Sequence, residues 1–240
     1  MAISPDGTKV PYTVLMAKGV TPEHVIIDVY GSYGFRRAFD EYHAMTHDEM
    51  AAAKTAIAFA VVRGDGNFGY DYAIASRTPY RDLAVADVAA VAQDIGKLLP
   101  GLTDKPAVRG QSAGGWLAFK AALTHPGLFS GAIGYSGAYL LKGDPLADND
   151  LRYLGSRDDL TPDVAALKGV CPAGLHFRFL HAVDDFKTSY AKAQAFAAQL
   201  TAAHCPVEFV TFAAGGHNID LDIDQMDDAV RRLHAYFDPF

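Results

Sequence analysis

The chain has 240 residues, half of them hydrophobic and a fifth charged. That length and composition suit one domain over 1–240, with a folded globular core expected rather than a disordered chain. The formal net charge of −7 leaves no surplus of Lys and Arg for binding phosphates, so neither nucleic acid nor an anionic membrane is expected as a partner. The longest apolar stretches, such as Thr55 to Val62, are too short to span a bilayer. Met1 to Gly7 is polar and lacks the apolar core of a signal peptide, so a cytoplasmic location is expected.

In chain order, Lys9 to Met16 reads as a strand after the Asp6-Gly7 turn, and His24 to Val29 as a short β-branched strand. Asp40 to Lys54 has helical composition, and Thr55 to Val62 is again a strand. Leu83 to Leu99 repeats Ala, Val, Ile and Leu at helical spacing and stops at Pro100. A strand at Ala107 to Gly110, a helix from Ala113 to Thr124 and a strand at Gly131 to Tyr135 follow. The strands Leu175 to Leu180 and Val207 to Phe212 alternate with amphipathic helices at Lys187 to Ala203 and Asp222 to Tyr236. Continuous apolar strands alternating with helices predict an α/β domain, its mainly parallel twisted sheet covered by helices on both faces. No repeat or linker marks an internal boundary. Chemistry in such a sheet gathers at the carboxyl ends of the strands.

Cys171 and Cys205 each open a Cys-Pro pair just before a predicted strand. If those strands are neighbours the thiols lie close, but two buried free thiols are the simpler expectation. His43 and His47 are four apart on a predicted helix, a metal-like spacing. They lack the Glu of a zinc-protease motif and a third ligand, so a solvated helix face is the better reading and no metal is expected.

Between a strand and a helix stands Gly110-x-Ser112-x-Gly114. That is the setting of a nucleophile elbow, the sharp turn that holds a serine hydroxyl above an α/β-hydrolase sheet. Small residues at 110 and 114 are needed because strand and helix crowd the turn. A helix beginning at Ala113 points amide N–H groups at an oxyanion forming on a substrate carbonyl. A serine needs an imidazole to take its proton and a carboxylate to orient the imidazole. The order Ser, acid, His occurs once at strand ends: Asp184-Asp185 follows the strand at 175–180, and Gly215-Gly216-His217 follows the strand at 207–212. His181 precedes the acidic pair on the same loop and reads as a packing or hydrogen-bonding residue. Chemistry alone does not choose between Asp184 and Asp185, one of which can cap the helix that follows.

These motifs resemble the prolyl oligopeptidase family of serine peptidases, in its catalytic domain. Ser4-Pro-Asp-Gly-Thr-Lys-Val-Pro-Tyr12 is similar to the strand that opens that domain, and Val29-Tyr-Gly-Ser-Tyr-Gly34 resembles its tyrosine-glycine oxyanion segment. Arg63-Gly-Asp-Gly-Asn-Phe-Gly69 is similar to the family's Arg-Gly-Gly-Gly-Glu-x-Gly stretch. The resemblance implies an α/β-hydrolase fold, Asp184 as the acid, and Tyr30 with the Ala113 amide as oxyanion donors. It implies a small peptide or amide substrate and no cofactor. Three features depart from the pattern. Asp65 and Asn67 replace a glycine and the glutamate of the stretch. Phe186 stands where many relatives carry Arg or Asn for a substrate carbonyl. The family's propeller has no counterpart in these 240 residues.

Tyr33, Phe35, Phe68, Tyr70 and Phe186 supply aromatic side chains for an apolar pocket wall, which makes a small ester the alternative substrate. A non-catalytic binding module, and an acyltransferase with an amine acceptor, are the remaining readings. Nothing in the sequence sets an oligomeric state.

Overall fold

The computed structural model describes residues 1–37, 47–77, 80–139 and 160–218. The strand predicted from Lys9 to Met16 divides at Pro11, which has no N–H to give a ladder. Its first part, β2 (Lys9–Val10), pairs antiparallel with β1 (Ala2–Ile3) in a small sheet of its own. Its second part, β3 (Tyr12–Leu15), runs antiparallel to β5 (Thr55–Ala60) at one edge of the main sheet.

The main sheet has seven strands in the order β3-β5-β4-β6-β7-β8-β9, with β4 at His24–Asp28, β6 at Ala107–Gln111, β7 at Gly131–Tyr135, β8 at His176–Ala182 and β9 at Val207–Phe212. Every pairing from β5 to β9 is parallel. All six residues of β5 and all five of β7 are buried. A strand covered on both faces has no reason to alternate polar with apolar residues. This is the α/β-hydrolase arrangement.

Helices α1 (His47–Ala52), α2 (Tyr70–Ile74), α3 (Asp82–Leu98), α4 (Ala113–Thr124), α5 (Thr161–Ala166) and α6 (Tyr190–Ala202) connect the strands. The short α2 and α5 were not predicted; five or six residues show no helical period. The predicted helix over 40–54 is described only from His47, and the one over 222–236 lies outside the described residues, as does His43. Trp116 and Phe119 of α4 are fully buried. Phe119 meets Phe177 and Phe179 of β8 and Phe196 of α6 at ring-centroid distances of 5.3, 4.7 and 5.7 Å. This aromatic cluster seats the helix that follows Ser112 against β8 and α6. Such rings dominate core energetics by buried area.

The expectation of two free thiols is overturned. Cys171 and Cys205 form a disulfide with a Cα–Cα distance of 4.8 Å. They stand just ahead of β8 and β9, and because these are parallel neighbours their leading ends lie side by side. Among the described residues no helix is long and apolar enough to cross a membrane.

Candidate active site

Ser112 occupies the turn between β6 and α4 with φ 52° and ψ −118°, a strained conformation for a residue with a side chain. A Cβ on Gly110 would overlap the backbone of Gly114, and one on Gly114 would lie 2.5 Å from the Val29 carbonyl oxygen. Only glycine permits this crossing. The serine backbone is held on several sides. Its N–H donates to the Tyr135 carbonyl at 2.9 Å, and its carbonyl accepts from Gly115 at 3.0 Å and Ala138 at 2.9 Å. Ala113, fully buried, opens α4, where the first amides have no carbonyl four residues back to bond.

His217 follows Gly215 and Gly216, both at positive φ, in the turn after β9. The Gln111 amide donates to the His217 carbonyl at 3.3 Å and to Asn218 Oδ1 at 3.2 Å, so the imidazole loop is tied to the residue beside Ser112. The ring's Nδ1 faces Asp185, 2.9 Å from Oδ2 and 3.2 Å from Oδ1.

The resemblance had singled out Asp184, and here the structure differs. Asp184 turns to the backbone, accepting from Gly216 N at 2.9 Å and Gly215 N at 3.4 Å. It shapes the glycine turn under the imidazole; Asp185 meets the ring. Both lie in the turn that follows β8, where Asp185 N donates to the Ala182 carbonyl at 3.3 Å, and only the second carboxylate meets Nδ1.

Asp185 also accepts from Lys187 N at 2.8 Å, Thr188 N at 3.0 Å and Thr188 Oγ1 at 2.6 Å. Burial alone would raise its carboxyl, but the hydrogen bonds from Thr188, His217 and Lys187 outweigh burial and hold it below the ordinary carboxylate range. In the neutral ring, an ionised Asp185 favours the tautomer with the proton on His217 Nδ1, which leaves Nε2 as an acceptor, as a general base must be. His181 is not on the loop; β8 runs on to Ala182 and buries it. Its Nε2 lies 3.1 Å from the Thr188 carbonyl, and burial pushes its pKa down, so the ring is neutral and donates there. Among the described residues no three His, Cys, Asp or Glu side chains gather as a metal site.

The prolyl oligopeptidase family profile matches residues 38–239. The chain belongs to the prolyl oligopeptidase family. A curated relative, an uncharacterized peptidase RP174 of Rickettsia prowazekii, is 29% identical over 136 residues, which are 55% of this chain and 18% of that protein. Prolyl oligopeptidase B from Galerina marginata has a similar structure, with a TM-score of 0.76 at 20% identity over 97% of this chain and 35% of the other. A post-proline cleaving enzyme from Rickettsia typhi has a TM-score of 0.75 at 17% identity, over 98% and 35% of the two chains. The chain therefore spans about a fifth of the curated relative and about a third of these solved structures.

Within this prolyl oligopeptidase family member, both departures in the Arg63–Gly69 stretch have structural work. Asn67 exchanges two hydrogen bonds with the Arg37 backbone, at 3.0 and 2.9 Å. Asp65, fully buried, accepts from Gly31 N at 2.8 Å and from Val62 N at 3.0 Å. Sequence reasoning marked both residues as deviations without giving either a role. The signal was there in the carboxylate occupying a glycine's place. Arg63 itself grips Asp87 of α3 through Nε at 2.9 Å and pairs with Asp6, locking the N-terminal turn to the domain.

Of the predicted pocket aromatics, Tyr33 and Phe35 gather on Tyr30, at centroid distances of 6.4 and 5.7 Å. Phe68 packs edge-on against Tyr72 at 5.4 Å, and Tyr70 is exposed at the start of α2. Phe186 is 83% exposed, with the Lys187 ammonium 5.9 Å above its ring.

Proposed function

We propose that this chain is a serine peptidase-type hydrolase that transfers an acyl group to water in two steps. Ser112 attacks a carbonyl while His217 Nε2 takes its proton, and Asp185 holds the imidazole in that tautomer. The Tyr30 phenol and the Ala113 amide donate to the tetrahedral oxyanion. His217 then protonates the leaving group, and water releases the acyl group by the same path. No cofactor enters this scheme. The observation that carries the reading is the 2.9 Å contact from His217 Nδ1 to Asp185, on a loop tied through Gln111 to the elbow.

The relatives' names favour a peptide or amide substrate. Tyr33 and Phe35, both exposed beside Tyr30, suit an apolar acyl or side-chain group and leave a small ester as the second substrate class. A fluorophosphonate probe is expected to label Ser112 and not the Ser112→Ala variant; labelling that persists in the variant refutes the assignment. Matched peptide amides and esters then decide the substrate class, and turnover of esters alone would sink the peptidase reading. Removing the Tyr30 hydroxyl is expected to cost about 3 kcal/mol of transition-state stabilisation.

The Cys171–Cys205 bridge favours an oxidising compartment over the cytoplasm expected from the sequence. Free thiols at both positions in protein taken from its native cells would reverse that reading.

A further inference from the structure

Tyr30 sits between two pinned peptide groups. On its N-terminal side, Val29 N donates to the Arg109 carbonyl at 3.0 Å, continuing the sheet. On its C-terminal side, both polar atoms of Gly31 are gripped by charged side chains. Its N–H donates to Asp65 Oδ1 at 2.8 Å, and its carbonyl accepts from Arg81 Nη1 at 2.5 Å. Asp65 and Arg81 are 0% and 1% exposed. Gly31 takes φ 64°, and a Cβ there would come 2.8 Å from Leu117 Cδ2 and 2.9 Å from Val62 Cγ2. A Cβ on Gly64 would overlap the Gly31 carbonyl oxygen, so the chain beside Asp65 closes in as tightly as glycine allows. The second Asp65 oxygen holds Val62 N at 3.0 Å, fastening the clamp to the chain just past β5. Arg81 is steadied from the other side, its guanidinium 4.8 Å from the Trp116 ring centroid in α4.

From this we infer that Asp65 and Arg81 are positioning residues for oxyanion stabilisation. By fixing the two peptide groups that follow Tyr30, they set the backbone from which its phenol reaches the reacting carbonyl. The inference rests on the reading of Tyr30 as an oxyanion donor. A buried carboxylate is costly unless its hydrogen bonds are complete and cations face it, and Asp65 has two amides, with Arg37 and Arg81 as facing cations. A neutral amide cannot replace it, because Asn offers one acceptor atom where the two N–H groups need two. Displacement of a donor by an ångström lowers turnover by about 100-fold, with less effect on binding.

The test is a double-mutant cycle on the full chain, with kcat and KM for 4-nitrophenyl acetate as readouts and circular dichroism as the check on folding. Asp65→Asn is expected to lower kcat by about 10- to 100-fold with KM little changed when Tyr30 is present. In a Tyr30→Phe background it should lower kcat by less than about threefold, since the donor it positions is gone. An equal loss in both backgrounds overturns the inference and leaves the Tyr30 reading intact. If Tyr30→Phe itself leaves kcat unchanged, the oxyanion reading falls and takes this one with it. Should Asp65→Asn not fold, Arg81→Met enters the same cycle with the same expectation. If neither variant folds, the pair serves folding rather than catalysis and the inference is overturned.

Discussion

His217 Nδ1 lies 2.9 Å from Oδ2 of Asp185, a carboxylate whose side chain is wholly enclosed, while the Asp184 side chain bonds the backbone of the glycine turn before the ring. Asp185 faces the ring nitrogen, and Asp184 braces the glycine turn that carries the ring. Asp185→Asn is therefore expected to lower kcat by about 10³- to 10⁴-fold, because an amide NH₂ facing Nδ1 favours the tautomer that cannot act as base. Asp184→Asn keeps an acceptor oxygen for Gly216 N and should cost less than about tenfold. Steady-state kinetics on both variants check this, and the reverse ranking would return the orienting role to Asp184.

Thr188 carries one hydroxyl proton, and its shortest contact is to Asp185 Oδ2 at 2.6 Å. A hydrogen bond to a buried charge is worth about 1.5–3 kcal/mol. Thr188→Val, equal in shape, should lower stability by about that amount in a denaturant titration and reduce kcat by about tenfold. Asp185 is also expected to bind its proton at higher pH in the variant, moving the acid limb of kcat upward. An unchanged pH profile would show that the hydroxyl serves another acceptor, such as the Ser136 carbonyl at 3.0 Å.

Burial pushes the Asp65 carboxyl up to about 6, against the pull of Arg37, the Gly31 and Val62 amides, and Arg81. A folded-state pKa above the unfolded one means that the native protein binds the proton more tightly. The stability this linkage contributes is complete below the unfolded carboxylate value and is lost as pH rises through about 6. Wild type should therefore gain on Asp65→Asn as pH falls from 7 to 4.5. Denaturant midpoints at the two pH values measure the gap, and a gap independent of pH would refute the assignment.

Asp6 has the opposite sign. The hydrogen bond from Thr8 N and the Arg63 guanidinium hold its carboxyl at about 2, below its unfolded value. Its contribution is present above the unfolded value and disappears only as pH falls through about 2. Asp6 is 43% exposed, so water screens much of the effect. Asp6→Asn should lower Tm slightly at pH 6 and leave it unchanged near pH 2. Equal losses at both pH values would make the effect one of packing.

The sheet and the elbow were legible because each is written locally. The helix predicted from Ala113 to Thr124 is α4, and the strand predicted from Gly131 to Tyr135 is β7. What escaped depends on contacts distant in sequence. Asp184 and Asp185 are adjacent and chemically equal, so only the register of β8 on β9, which sets where His217 stands, separates them. His181 read as loop because the apolar run was expected to end at Leu180, yet ladder pairing to Thr211 and Phe212 carries β8 through Ala182. The cysteine pairing needed the strand order. Asp65 looked like a lapse in a glycine-rich stretch; its use appears only when Gly31, far back in the chain, is laid against it.

The bridge between Cys171 and Cys205, 34 positions apart, closes a covalent ring that contains β8, both carboxylates and α6. A single nick by a protease inside that ring, for instance in the exposed segment around Val183 and Phe186, cannot release either end. The severed halves stay one molecule, with the carboxylate on one side of the cut still tethered to the strand that leads to the imidazole. They part only when a reductant opens the ring.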